Sequence, residues 1–265
     1  MAFIEVVRLK QTLEWEASRN HTHAHYQLYY LLEGQRIYYI NGDNIYNVRE
    51  NCFVLTPPNT PHKTDGGQLE RIIVNFDLDY FDMLDKEFVD KCFSHFSFQF
   101  DAGSVIELKK VICDIEKEYH KGYKPKDDYL KVKLAELLIL LSRNTDNILS
   151  SGKIRNPLIL NVLRYINDNY RVATLSSVAK GFYISKSHLA REFKKNMGVT
   201  TNEYILGKKI SAAMDLLTNT SIRIQEISNM CGFSSPNYFG LAFKKNVGLS
   251  PQKYKLGKLN FASIK

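Results

Sequence analysis

Residues 224–254 read IQEISNMCGFSSPNYFGLAFKKNVGLSPQKY. Their spacing predicts a short helix over Ile224–Met230, a turn at Gly232, and a second helix that Ser235 caps and Pro236 opens. Phe239 and Phe243 stand four apart and form the inward stripe of that second helix. The pattern also occurs fifty residues earlier, where SKSHLAREFKKNMG from Ser185 parallels SPNYFGLAFKKNVG from Ser235. The offset of 50 relates Leu189 to Phe239, Phe193 to Phe243, Lys194-Lys195 to Lys244-Lys245, Gly198 to Gly248, and Tyr204 to Tyr254. Upstream, Val178-Ala179 matches Ile227-Ser228 at an offset of 49, so the second turn holds one extra residue. The first copy opens with a helix over Leu175–Lys180, has its turn glycine at Gly181, and uses Ser185 as the next cap. Ala179 and Ser228 are the small residues where two helices can cross closely. Two copies are fewer than the three or so that a solenoid needs, so this half is read as two helix-turn-helix units.

Charge follows the repeat. Residues 153–265 carry 18 Lys+Arg against 5 Asp+Glu, a net of +13, while residues 1–152 carry 18 against 23, a net of −5. A basic half beside a mildly acidic one points to nucleic acid. On the second helix of the first copy, Lys186, Ser187, His188, Arg191, Lys194 and Lys195 share the outer face. The second copy offers Ser235, Asn237, Tyr238, Lys244 and Lys245. Hydroxyl, amide, imidazole and guanidinium donors near a helix N-terminus suit the base edges and phosphates of a major groove. The bland alternative is a helical pair with a solvated basic face, and duplication within a +13 segment counts against it.

These residues carry a family resemblance. Residues 157–256 resemble the DNA-binding domain of AraC/XylS-type bacterial transcription regulators, with Gly232-Phe233-Ser234, Tyr238-Phe239, Phe243–Lys245 and the run ending at Tyr254 as the matching signature. The resemblance implies two helix-turn-helix units joined by a long helix over about residues 202–217. It also implies one recognition helix in each of two successive major-groove turns of promoter or operator DNA. Leu241 and Lys209 stand where the family commonly has arginine, which moves the expected base reading toward the first unit.

Outward from the repeat, Asn156 and Pro157 read as the cap and first turn of a helix, and residues 147–156 as a polar linker weakest at Ser150-Ser151-Gly152. Residues 101–146 hold two amphipathic helices. Val105, Leu108, Ile112, Ile115 and Tyr119 line the first, and Leu130, Leu134, Leu137, Leu138 and Leu141 the second, after the turn Gly122–Asp128. They serve as cover for a sheet or as a homodimer seam, and spacing does not choose. Residues 1–100 read as strands, including Gln27–Leu32, Arg36–Ile40, Ile45–Val48, Cys52–Leu55 and Arg71–Phe76. The turns between them are at Glu33-Gly34, Asn41-Gly42-Asp43 and Thr56-Pro57-Pro58-Asn59. The expected fold is therefore multidomain α+β: a cupin-like β-barrel with two helices, then an all-α domain over residues 157–256, with 257–265 as a tail.

The stretch HTHAHYQLYYLLEG from His21 carries the chemistry of the N-terminal half. Read as a strand, it sets His21, His23, His25, Gln27 and Tyr29 on one face. His62 follows the proline-bracketed turn TPPNTPH, and Tyr38 lies on a neighbouring strand. The layout resembles a cupin barrel, whose H-x-H-x3-E strand and later histidine hold a metal such as Zn, Fe or Mn. Here Gln27 takes the glutamate's place, and a neutral amide is a poor hard-anion substitute. These seven residues are accordingly expected to line a pocket for a small-molecule effector, sugar-like or otherwise polar organic, with no metal and no cofactor. AraC-type regulators often have such a sensory domain.

The rest is exclusion. Apolar runs such as Leu137–Leu141 are far below the ~20 residues that cross a bilayer, and charges interrupt the first twenty residues, so neither a membrane span nor a signal peptide is expected. Cys52, Cys92, Cys113 and Cys231 have no paired spacing, which fits a reducing cytoplasm. No nucleophile–base pair or phosphate-binding glycine loop is present, so no catalysis is expected. The leading function is a ligand-responsive, sequence-specific transcription regulator of genes for carbohydrate or small-metabolite use. It would act as a homodimer, and with RNA polymerase if it activates. The alternative is a metal-dependent cupin enzyme with a basic helical appendage, which leaves the repeat unexplained.

Overall fold

The computed structural model describes residues 3–11, 16–17, 20–42, 44–80, 84–94, 97–99, 102–121, 123–143 and 152–262. Two compact units divide the chain. One holds Met1–Gln11, Arg19–Thr64 and Gln68–Lys153, and the other Thr12–Ser18, Asp65–Gly67 and Ile154–Lys265. Ser150-Ser151, Gly122 and Asp43, read above as linker and turn positions, lie outside the described residues.

The strands are β1 (Ile4–Gln11), β2 (Glu16–Ala17), β3 (Tyr26–Ile40), β4 (Asn44–Arg49), β5 (Cys52–Thr56), β6 (His62–Phe76) and β7 (Ser97–Gln99), all in the first unit except β2 and residues 65–67 of β6. They form one sheet in the order β1-β6-β3-β5-β7, with β4 also on β3 and β2 also on β6. The two 15-residue strands change partners along their length. β3 pairs with β5 over 27–30 and with β4 over 35–40, while β6 pairs with β2 at 65–66 and with β1 over 69–76.

Two expectations need correction here. Glu33-Gly34 is not a turn between strands, because β3 runs straight through it. Gly34 has φ 93°, and a Cβ there would collide with the carbonyl of Gln68, so glycine is required. The residue acts as a bulge. Before it the odd positions Tyr29 and Leu31 share a cluster, and after it the even positions Tyr38 and Ile40 join the same cluster. The second correction is that residues 86–93 are helical. Asp85 caps α1 (Lys86–Phe93) by accepting from the Phe88 amide, and Val89, Cys92 and Phe93 are its buried face.

The sheet has two faces of different chemistry. Val6, Leu28, Tyr30, Leu32, Ile72, Val74 and Phe76 pack under α1, α2 (Ala102–Lys121) and α3 (Lys126–Arg143). Leu108, Ile112 and Ile115 of α2 and Leu130, Leu134, Leu137, Leu138 and Leu141 of α3 are all buried in that cluster, so the two helices cover the sheet. Each such side chain contributes about 1.5–3 kcal/mol of burial. The opposite face gathers Tyr29, Leu31, Tyr38, Ile40, Tyr46, Val48, Cys52, Val54 and Leu69.

The second unit is helical: α4 (Pro157–Asn169), α5 (Leu175–Gly181), α6 (Lys186–Met197), α7 (Thr201–Asn219), α8 (Ile224–Met230), α9 (Pro236–Val247) and α10 (Pro251–Ala262). Asn156, Ser185 and Ser235 cap α4, α6 and α9 by accepting backbone N–H bonds from Leu158, His188 and Tyr238. Thr200 and Glu203 close a capping box on the long central helix α7. The repeat extends to the packing of tyrosine on phenylalanine: Phe193–Tyr204 and Phe243–Tyr254 ring centroids lie 5.6 and 5.5 Å apart. α10 runs past residue 256 into the stretch read as a tail.

Candidate functional site

His21, His23 and His25 do not lie on a strand, whereas His62 opens β6. β3 begins only at Tyr26, the chain bends at residues 24–25, and His21 makes an isolated bridge to His62. That is a correction to the alternating-face reading of His21, His23 and His25. Folding nevertheless brings all the predicted pocket residues into one chain of contacts. Ring centroids are 4.2 Å apart for His21–His62, 4.9 Å for His23–His62 and 4.1 Å for the stacked pair His23–His25. Tyr38 stacks on His62 at 5.9 Å and meets Tyr29 edge-on at 5.5 Å. Tyr38 also donates to Gln27 Oε1 at 3.3 Å.

Gln27 has a neutral partner at each end of its amide. Its Nε2 donates to Asn75 Oδ1 at 3.1 Å, and Asn75 Nδ2 donates onward to Glu5 Oε2 at 2.9 Å. An amide can take part on both sides of this relay because it carries donor and acceptor together, which a carboxylate cannot. His23 Nδ1 donates to the His25 carbonyl at 2.8 Å and His62 Nδ1 to the Thr60 carbonyl at 2.9 Å. Since a carbonyl only accepts, both rings keep Nε2 as an acceptor. His23 Nε2 is buried and has no partner among the described residues. Burial is the largest cause that lowers the pKa of His23 and His25, and it pushes His62 down to about 4. Among the described residues, no group of three or more His, Cys, Asp or Glu side chains is arranged to hold a metal ion.

The residues that sequence reasoning missed are polar ones on the inner face. Arg36 is wholly buried on β3, and Arg71 and Asn75 alternate with Leu69 and Ile73 on β6. Period-2 counting along β6 reaches Arg71 and Asn75 directly. Arg36 escapes such counting because the Gly34 bulge reverses the parity of β3.

In the second unit the predicted contact residues occupy the outer faces of α6 and α9. Lys186, Ser187, Arg191, Lys194 and Lys195 are exposed and His188 half-buried on α6; Asn237, Tyr238, Lys244 and Lys245 are exposed on α9. The oxygens of Ser185 and Ser235 serve as caps, so Ser235 has its hydroxyl proton left to offer. Arg191 Nη2 donates to His188 Nδ1 at 3.1 Å, which leaves the ring proton on Nε2. Leu241, the counterpart of Arg191, is 72% exposed and therefore not packed against a neighbouring helix. Lys209 turns inward. Its Nζ donates to the Gly232 carbonyl at 2.6 Å and lies over the Phe233 ring, and burial lowers its pKa. It braces the second turn.

That turn corrects a further expectation. The left-handed residue of the first unit is Tyr183 (φ 55°), not Gly181, and Gly232 (φ 75°) is its equivalent at the offset of 49. Both turns have the same bonds: Ile184 N–H to the Ala179 carbonyl, and Phe233 N–H to the Ser228 carbonyl, at 3.0 and 3.1 Å.

A sheet domain with a polar interior, followed by two capped helix-turn-helix units with basic outer faces, defines the class of ligand-binding, DNA-binding regulators. Comparison with known proteins gives the family. The AraC-like ligand binding domain matches residues 3–156 and a helix-turn-helix domain matches residues 178–256. The chain belongs to the AraC family of transcription regulators. It is 30% identical over 148 residues to the lactose operon transcription activator of Staphylococcus xylosus, covering 55% of this chain and 53% of that protein. It is 28% identical over 243 residues to the uncharacterized HTH-type transcriptional regulator YfiF of Bacillus subtilis, covering 83% and 75%. With the xylose operon regulatory protein of Escherichia coli it shares 33% identity over 87 residues, 32% of this chain and 22% of that one. The chain thus matches about half or less of the length of the two sugar-operon relatives. Among the described residues no helix is long and apolar enough to cross a membrane.

Proposed function

We propose that this protein is an effector-responsive regulator of genes for carbohydrate or small-metabolite use. In this reading Lys186, Ser187, His188, Arg191, Lys194 and Lys195 of α6, with Ser235, Asn237, Tyr238, Lys244 and Lys245 of α9, contact operator DNA. His21, His23, His25, Gln27, Tyr29, Tyr38 and His62 line the effector site. The chain acts as a homodimer, and activation would run through RNA polymerase. The observation that carries this is the repeated unit: two capped helices, α6 and α9, each with an apolar inner stripe and an exposed cationic outer face. The sugar direction draws support from the names of the lactose and xylose operon relatives. A genome-wide map of sites bound by the full-length protein tests it. A recurrent duplex motif upstream of sugar or metabolite genes is expected, and binding without a shared motif would defeat the proposal.

A further inference from the structure

The inner face of the first unit's sheet carries positive charge that the sensing role above does not explain. By strand register, Gln27, Tyr29, Tyr38, Thr56, Leu69, Arg71, Ile73 and Asn75 belong to this face, with Arg36 beside them beyond the bulge. Arg36 is 0% and Tyr29 1% exposed, so a guanidinium and a phenol sit out of water in one place. Arg71 lies over the Tyr29 ring, its Cζ 5.4 Å from the centroid. Both guanidiniums act electrostatically on the Tyr29 and Tyr38 hydroxyls. Although both approach it, the Tyr29 hydroxyl forms no well-shaped hydrogen bond among the described residues, and neither does Arg71 Nε. A buried hydroxyl left in that state is destabilising until something accepts from it.

Among the described residues, the other charges around this face do not supply that acceptor. Glu5 is exposed, and its carboxylate already takes the Asn75 amide at the outer end of the relay. The nearby histidines can only add positive charge on titration. No ion pair between Arg71 and a carboxylate occurs among the described residues. Guanidinium is the side chain that best matches the planar, two-oxygen edge of carboxylates and phosphates, and it does so most strongly where water is excluded.

We infer that the effector is a small polyol bearing an oxyanion, a sugar acid or a sugar phosphate, with Arg71 and the Tyr29 hydroxyl seating the anion. Gln27, Asn75 and Tyr38, neutral and already hydrogen-bonded, are suited to the hydroxyls of the polyol body. This rests on the effector reading above and names the chemical class that reading leaves open.

The test is thermal unfolding and calorimetric titration of the full-length protein with glucose 6-phosphate, gluconate and glucose. At least one of the two anions should raise the unfolding midpoint at concentrations where glucose has no effect, and the preference between them tells phosphate from carboxylate. Arg71→Gln should weaken that binding at least tenfold, Tyr29→Phe severalfold, and Arg71→Lys less than Arg71→Gln. If Arg71→Gln fails to fold, Tyr29→Phe and Arg71→Lys carry the test. Stabilisation that survives all three variants would place the anion on the basic second unit and overturn the inference, as would no effect from either anion. Glucose binding that needs Gln27 but not Arg71 would also overturn it, while leaving the effector reading intact. Operator binding that responds to no small molecule, in wild type or variants, would instead defeat the effector reading.

Discussion

Tyr183 takes a backbone position that its own repeat assigns to glycine. A left-handed conformation costs an L residue roughly 1–2 kcal/mol, and a ring that is 97% exposed recovers nothing by burial. Glycine brings extra unfolded-state entropy, so Tyr183→Gly is expected to stabilise the protein by a net of about 0.5–1 kcal/mol in urea unfolding. Gly232→Ala should do the opposite, by at least about 1 kcal/mol, because its Cβ would collide with the Arg171 backbone. A loss of stability in Tyr183→Gly would show that the ring has a partner. His62 provides a second residue-scale prediction. Its folded pKa of about 4 lies below the ordinary imidazole value near 6.5, so the unfolded chain takes up the proton first. Stability from the neutral buried ring is therefore complete above about pH 6.5 and is lost as the pH falls toward 4. His23 and His25, also lowered, push the same way. The unfolding midpoint should drop between pH 7 and 5, and His62→Gln should flatten that drop.

At the scale of elements, the two recognition helices should read DNA unequally. Arg191→Ala is expected to remove about 1–3 kcal/mol of discrimination at one operator position. Leu241→Ala should change operator affinity less than twofold, and since Leu241 is exposed it should leave the unfolding midpoint alone. Equal losses for the two variants in a gel-shift titration would refute the inequality. The helices of both units were legible in the sequence because caps and inward stripes are local: Ser185, Ser235 and Pro236 mark starts, and Leu189/Phe193 or Phe239/Phe243 mark faces. The helix pair over the sheet was legible for the same reason. Other elements were not, because the same residues serve two local structures. Glu33-Gly34 has turn chemistry, yet it makes a bulge once a neighbouring strand approaches. His21–His25 alternates like a strand, yet bends. Gly181 drew the turn two residues early because nothing local tells that Tyr183 is held left-handed by the bonds around it. Lys86–Phe93 is two turns long, too short for periodicity to distinguish from a strand. Of the candidate site, the histidines and tyrosines were found by type, whereas Arg36 needed the bulge to be known.

At the scale of the molecule, the charge split between the halves has a measurable consequence. If α6 and α9 neutralise phosphates through Lys194, Lys195, Lys244 and Lys245, the logarithm of the operator affinity should fall linearly with the logarithm of salt, by about 0.9 for each phosphate contacted. Removing one of these lysines should reduce the slope by about 1 and weaken all DNA sequences alike, unlike Arg191→Ala, which should relax one position. A slope unchanged by all four substitutions would take these lysines out of the interface. The sheet domain holds a different kind of lever in the Gly34 bulge. Losing the bulge without losing a residue would turn Gln35, Ile37 and Tyr39 inward in place of Arg36, Tyr38 and Ile40, whereas a single-codon deletion there would straighten β3 and keep the latter three on the side of Tyr29 and Leu31. The residue count and the inner surface are thereby uncoupled: the chain could shed Gly34 in one event with its inward set intact, while a substitution that forced a regular strand through position 34 would rewrite half a strand's contribution to that face at once.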